Sequence, residues 1–439
     1  MRRPLVADLH PAAWAVFVVS VALGVRAFAS TFGVSLVPFD PSPEPGSMLA
    51  VNYEVYHYAA EAAIAGEDFY DAVPPGRGDG YVYLYPPITV LVYYPFTLVS
   101  PATGYLLHTA LAVVGAGAVA TVAVVRYVET FDIRLGWLDV ALIFGFFVVS
   151  VHASPTVYFG NVNLVLGAAF AVGFLLLARD RAVAAGVAFG VAALFKVFPA
   201  LVGVWLLRRR SWGAIFGATA TGLGGLLLGA IVFGIDTTRT FFVDALFPRS
   251  STPAFVGGLD PDETYYVTVQ RPLSHVIWTV WPEAPEEVLF PAALLVLGLI
   301  LASLYRDLDG PVDALVAIYA TTVVTVILLP SLRMYVVLTF LPAITLLYVW
   351  GWHPAGVPFT LGWLLAALAF RPSMAISRAE TLPEPLFAIA EPLLTVATFQ
   401  LWGLALTMVA CVAYKYRWAD HDTPWTPPAW ATARGAEDG

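Results

Sequence analysis

Charge is what this chain has least of. Of its 439 residues 12% are charged, against about 25% in a soluble domain, while 59% are hydrophobic. A mean hydropathy of +0.78 agrees, and the balance excludes an ordinary globular enzyme. Cysteine is almost missing too. The only one, Cys411, lies inside an apolar run, which excludes an intramolecular disulfide and a cysteine metal cluster. Lysine occurs twice, at Lys196 and Lys415, and carboxylates outnumber bases 31 to 22 for a net charge of −9. A nucleic-acid partner therefore has no electrostatic footing. The same acidic, lysine-poor balance fits a protein that works in high salt, as in a halophilic archaeon, where carboxylates hold hydration and salt screens their repulsion.

What the chain does have is long apolar runs. They fall at 14–36, 103–125, 138–151, 164–178, 182–195, 199–207, 212–235, 288–304, 312–329, 335–350, 357–370 and 392–414. Lipid tolerates only helices or closed barrels, and barrel strands read as alternating segments of about ten residues. The pattern therefore predicts an all-α, polytopic integral membrane helical bundle of about twelve transmembrane helices. The first run follows Arg2 and Arg3 but is too long for a signal peptide and lacks a clear small-residue cleavage site, so it reads as a retained span.

Basic residues orient the bundle. With both termini cytoplasmic in the cell membrane, Arg126, Arg134, Arg179, Arg181, Arg208, Arg209, Arg210, Arg306, Lys415 and Arg417 all fall inside. This requires the stretch 182–207 to fold back at Lys196. A lysine at mid-bilayer costs about 2.5–3.5 kcal/mol and Pro199 interrupts a helix, so both favour a hairpin tip at the outer surface. The segment 86–98, with Pro95 inside it, then lies as a juxtamembrane or re-entrant helix. Two long outer loops result, about 37–85 and 236–287, with a shorter one at 371–384, and the tail 419–439 reads as disordered.

The first outer loop holds a helical stretch, 53–64, with Gly66 as its C-cap and with Tyr53, Tyr56 and Ala60 on one face. Asp40 and Glu54 flank its start, and a carboxylate near the membrane surface is suited to take a proton from a sugar hydroxyl. Tyr81-Val82-Tyr83-Leu84-Tyr85-Pro86-Pro87 follows, then Gly160-Asn161-Val162-Asn163, Ala185-Gly186 with Leu194-Phe195-Lys196-Val197-Phe198-Pro199, and Arg333-Met334-Tyr335 before Leu341-Pro342. In this order, behind a first span and a loop carrying Tyr56, Ala60, Gly66 and Tyr70, the motifs resemble the GT-C membrane glycosyltransferases. Among these the chain is similar to glycosyltransferase family 87, the polyprenyl-phosphate-mannose-dependent mannosyltransferases, over about its first 350 residues.

The resemblance implies an inverting transfer of a hexose, most often mannose, at the outer face. The donor is a polyprenyl- or dolichyl-phosphate sugar and the acceptor a glycolipid or lipid-linked oligosaccharide, within membrane lipids and without a cofactor. Residues 1–418 then form one catalytic domain. Such chemistry needs a base for the acceptor hydroxyl and cations for the departing phosphate. The family's aspartate position is occupied here by Asn52, an amide that accepts no proton. Asp40, Glu54 and His57 are the candidate bases in its place. Lys196, Arg333 and Arg271 are the candidate phosphate ligands, each with an interfacial anchor as its alternative role. Asn161 and Asn163 are placed to bond sugar hydroxyls or to cap the following helix. Tyr83 and Tyr85 are placed to stack on a sugar or to anchor at the interface, and Asn52 and Tyr335 complete the substrate-binding set. The histidines are scattered without ligand spacing and Asp260, Asp262 and Glu263 read as an exposed acidic turn, so no metal site is expected. A transporter or lipid flippase is the competing class, and the Lys196–Pro199 break is the one feature it would claim.

Overall fold

A computed structural model describes residues 10–31, 48–247, 266–306, 308, 310–329, 331–351, 353–368, 380–381 and 383–418. Asp40, Asp260, Asp262 and Glu263, most of the segment 371–384 expected as a third outer loop, and the tail 419–439 lie outside the described residues.

The chain is an all-helical membrane bundle. Its one strand pairing is short, Tyr266–Val267 antiparallel to Ser331–Leu332, among the described residues. Five helices are long and apolar enough to cross a membrane: Pro11–Ala29, Pro101–Phe131, Trp212–Phe233, Glu286–Leu304 and Arg333–Trp350. A sixth arises if Glu384–Val396 and Phe399–Arg417 count together, although they meet at 88°. The run expected as one span from 392 is thus broken, and Thr398 starts a new helix by accepting the Leu401 N–H at 3.1 Å. The remaining apolar helices are shorter, which is where the expectation of about twelve full spans is not matched. Ala182–Phe195, with 14 residues, rises about 21 Å at 1.5 Å per residue, less than a hydrocarbon core of about 30 Å.

Contacts between helix ends order the bundle. At one end Arg208 donates to the Tyr305 carbonyl at 2.7 and 3.0 Å, Lys415 pairs with Asp313 at 2.9 Å, and Asp139 accepts from Trp14 Nε1 at 2.8 Å and Tyr348 Oη at 2.9 Å. Asp139 also accepts the Gly136 N–H at 2.9 Å, so a fully buried carboxylate carries three donors. The opposite end holds the first-loop helix, the turns at Ser150–Ala153 and Lys196, and Arg333. The stretch 182–208 therefore runs out to Lys196 and back to Arg208, a hairpin as its proline and lysine dictate.

Small residues let this hairpin pack. Gly186 and Gly190, one turn apart, lie against the backbone of Ala214 and Ala218 in Trp212–Phe233, and Gly217 lies against Val183. Without a hydrophobic force between helices in lipid, such backbone approach supplies the association energy. The first-loop helix is Val51–Ala65, ended by Gly66 at φ +76°, as its sequence predicts. Pro87–Leu98 is a 3-10 helix with Pro95 inside, too tight and too short to be a regular span.

A side chain at Gly186 meets the Ala214 carbonyl, whereas Gly222 faces open space. Gly186→Leu is expected to lose at least the roughly 1–3 kcal/mol of an overpacked core and to lower the thermal midpoint in detergent, while Gly222→Leu leaves it unchanged. A midpoint common to both variants would contradict the packing.

Candidate active site

Four sequence motifs meet at the hairpin-tip end. The helix Ala182–Phe195 stops because Lys196 turns extended, at φ −142° and ψ 128°, and Pro199 sits in the 3-10 turn that follows. This directs the Lys196 side chain across the bundle end. Its Nζ donates to Tyr335 Oη at 3.0 Å and lies 4.3 Å from the centroid of the Tyr335 ring and 5.8 Å from that of Tyr85. Phe198 packs on Tyr335, with ring centroids 5.0 Å apart. Among the described residues no carboxylate lies within ion-pairing distance of Lys196. Burial works against its charge, and the Tyr335 hydroxyl that accepts from the ammonium works for it. The lysine therefore rests on hydroxyl and ring partners and not on a carboxylate.

Tyr85 is the link to the first loop. Its hydroxyl meets Tyr56 Oη at 2.9 Å, and its carbonyl accepts from Tyr70 Oη at 2.8 Å. Tyr83, also expected to face a sugar, is instead fully buried and gives its hydroxyl to Thr89 Oγ1 at 2.6 Å. Alternation alone would put both on one face, so the difference comes from packing: Tyr83 lies against Phe69, Tyr70 and Thr89, whereas Tyr85 meets Tyr56 and Lys196. Tyr83 builds the wall and the half-buried Tyr85 lines the site. Burial pushes the hydroxyls of Tyr56 and Tyr83 well above the usual tyrosine range, so both stay neutral donors.

The candidate bases are differently placed. Asn52 is half-buried in the first turn of the loop helix. Glu54 is bound to Arg77 Nε at 2.8 Å, and Arg77 also reaches the Leu49 carbonyl at 3.4 Å, which ties the helix start to the loop behind it. His57 is fully buried, with Nδ1 3.3 Å from Tyr53 Oη. Its Nε2 stands 3.2 Å from Glu61 Oε1 but outside hydrogen-bond geometry. Burial, and then the charge of Glu61, push the Tyr53 hydroxyl up to about 12.

Asn161 and Asn163 are buried at the start of Asn163–Ala178, and Asn161 Oδ1 and both amide atoms of Asn163 have no protein partner. Neither side chain caps the helix. They are positioned by Gly160, which holds φ +68° and leaves no room for a Cβ against Tyr53, 2.6 Å away. The Ala50 N–H, donating to the Tyr158 carbonyl at 2.9 Å, joins this turn to the first-loop helix. Arg333 is half-buried beside His152, whose imidazole is driven down to about 3 by burial and by the Arg333 charge. Arg271 is engaged elsewhere. Its guanidinium donates to the Thr395 carbonyl at 2.7 and 3.0 Å, where it holds the end of Glu384–Val396 at the helix break. Among the described residues no three His, Cys, Asp or Glu side chains stand close enough to hold a metal ion.

Sequence reasoning gave Arg77, His152 and Gln400 no part in the site and used Tyr56 only as a helix-face and motif residue. Gln400 was detectable as a lone amide inside an apolar run. The arrangement as a whole offers a cation and tyrosine hydroxyls for an anionic group beside buried amides without partners. Gly160→Ala is expected to cost about 1–2 kcal/mol in backbone conformation alone, with the Tyr53 contact added, and so to lower thermal stability. An unchanged melting curve would show that the turn relaxes.

No curated protein matches the chain. The model of glycosyltransferase family 87 matches residues 83–331, which include Tyr83, Tyr85, Asn161, Asn163, Lys196 and Arg271. That is more than half of the 439 residues, and it spans the helices that assemble the Lys196 hairpin and the asparagine turn. The chain belongs to glycosyltransferase family 87 and is a membrane glycosyltransferase of that family.

Proposed function

We propose that the protein transfers a hexose, mannose in the first instance, from a polyprenyl- or dolichyl-phosphate donor to a glycolipid or lipid-linked oligosaccharide. The transfer takes place with inversion at the outer face of the membrane. The observation that carries this reading is Lys196, a cation held by a hydroxyl and two rings, with no carboxylate partner among the described residues. Such a cation suits a phosphate monoanion that enters from the lipid. The sorting of bases supports the orientation, since the end opposite Lys196 carries the short connections and most of the arginines.

In the reaction a base removes the proton of the acceptor hydroxyl, whose oxygen attacks the anomeric carbon from the face opposite the phosphate. The bond between that carbon and the phosphate oxygen breaks, and its electron pair leaves with the lipid phosphate. Lys196 and Arg333 stabilise the charge that gathers there. Asn161, Asn163, Asn52, Tyr85 and Tyr335 hold the sugar and the phosphate. Glu54 is committed to Arg77 and His57 to Tyr53, which leaves Asp40 as the base of choice, with those two as alternates. Family membership leaves the transporter reading only the Lys196–Pro199 break.

Membranes containing the full chain, given polyprenyl-phosphate mannose with a labelled sugar, should form a labelled lipid product. Lys196→Ala is expected to cut the rate about 10²–10³-fold, and Lys196→Arg less, because it keeps the charge but not the point geometry. Asp40→Asn should lose about 10²–10⁴-fold as the loss of a general base. Transfer of labelled glucose in place of mannose would overturn the sugar assignment. Label that crosses the membrane without any covalent transfer would overturn the reaction.

A further inference from the structure

Gln400 opens the helix Phe399–Ala413, beyond the stretch that the family model matches. It is buried, and its side chain reaches His152 in the Ser150–Ala153 turn and the Arg333 segment together. One atom, Nε2, lies 2.9 Å from His152 Nδ1 and 3.3 Å from the Arg333 carbonyl oxygen. That pair of distances settles the amide's orientation. A side-chain oxygen there would face the Arg333 carbonyl lone pairs, so the atom is the nitrogen and it donates to both. His152 Nδ1 is then an acceptor, and the proton of the neutral ring sits on Nε2. The imidazole cannot shift to find another partner. It is fully buried among Phe146, Phe340 and Trp363, with ring centroids 6.3, 6.2 and 5.7 Å away.

The consequence falls on Arg333. This residue begins the 3-10 segment Arg333–Thr339, which also carries Tyr335, the partner of Lys196. Its carbonyl is held by an amide that is itself locked by a caged imidazole. We propose that Gln400 is a positioning residue that fixes the Arg333 main chain, and with it the approach of the guanidinium to the donor phosphate, with His152 as the rigid acceptor that keeps the amide in place. The last long helix thereby takes part in donor recognition through the Arg333 main chain. This rests on Arg333 as a phosphate contact in the proposed transfer.

A double-mutant cycle on the full chain in membranes tests it, with labelled polyprenyl-phosphate mannose as donor. Gln400→Met keeps the volume and removes the donor atoms. It should raise the donor KM about 10- to 100-fold, the cost of a misplacement of about 1 Å, with the acceptor KM unchanged. On an Arg333→Ala background the same substitution should add nothing. Losses that multiply across the two backgrounds would overturn the positioning role while leaving Arg333 as a phosphate contact. A donor KM unmoved by Arg333→Ala would remove that contact and the positioning role together. Should Gln400→Met fail to fold, Gln400→Glu, of the same length but unable to donate when ionised, decides by the same criteria.

Discussion

A single ammonium group in an apolar hairpin sets the terms for this fold. Withdrawing a cation from water costs several kcal/mol, and Lys196 recovers part of that from one hydroxyl and two ring faces. Those partners come from segments far apart in the chain, Tyr85 before the second span and Tyr335 well into the second half. The hairpin tip, the Tyr-Pro-Pro segment and the Arg333 segment must therefore assemble together, and Tyr56 draws the first-loop helix into the same cluster. Because none of these partners is a carboxylate, the cation remains able to attract an anion. An ion pair would have satisfied Lys196 and spent its charge.

The far end of the bundle treats charge in the opposite way. Asp139 takes three donors, Lys415 is matched by Asp313, and Arg208 is bound to a helix-terminal carbonyl. These groups close helix ends that lack internal partners and are already satisfied. Arg271 belongs with them in kind, since it holds the Thr395 carbonyl at the 88° break even though it was expected to bind phosphate. A buried arginine finds its role where a carbonyl lacks a donor, and the break supplies one. Glu54 follows the same logic with Arg77, which turns a candidate base into a fastening for the loop.

Much of this was legible in the residues. Gly66 ends the loop helix as a left-handed cap, Ala182–Phe195 stops where lysine and proline stop it, and the bases sort to one end. These follow from backbone conformation and the cost of charge in lipid, which act within a few residues. The choice between Tyr83 and Tyr85 was not legible. Both are tyrosines in one extended segment, and only packing against Phe69, Tyr70 and Thr89 buries the first. Gln400 stands out as a lone amide in an apolar run, but its role is hidden, because its two acceptors sit 248 and 67 positions away in the chain.

By itself, then, the sequence determined the class of fold, the hairpin, the acidic loop helix and the motif residues of glycosyltransferase family 87. Hydropathy, proline, glycine and charge are local properties, and the bilayer converts them directly into helices and turns. The tertiary structure decided that Lys196 meets no carboxylate among the described residues, that buried amide atoms at Asn161 and Asn163 lack protein partners and that one helix pair is sharply bent. Those outcomes depend on what each side chain meets across the bundle. A hydrogen bond or an ion pair forms only at a distance of a few ångströms, and no property of one segment states what will stand there.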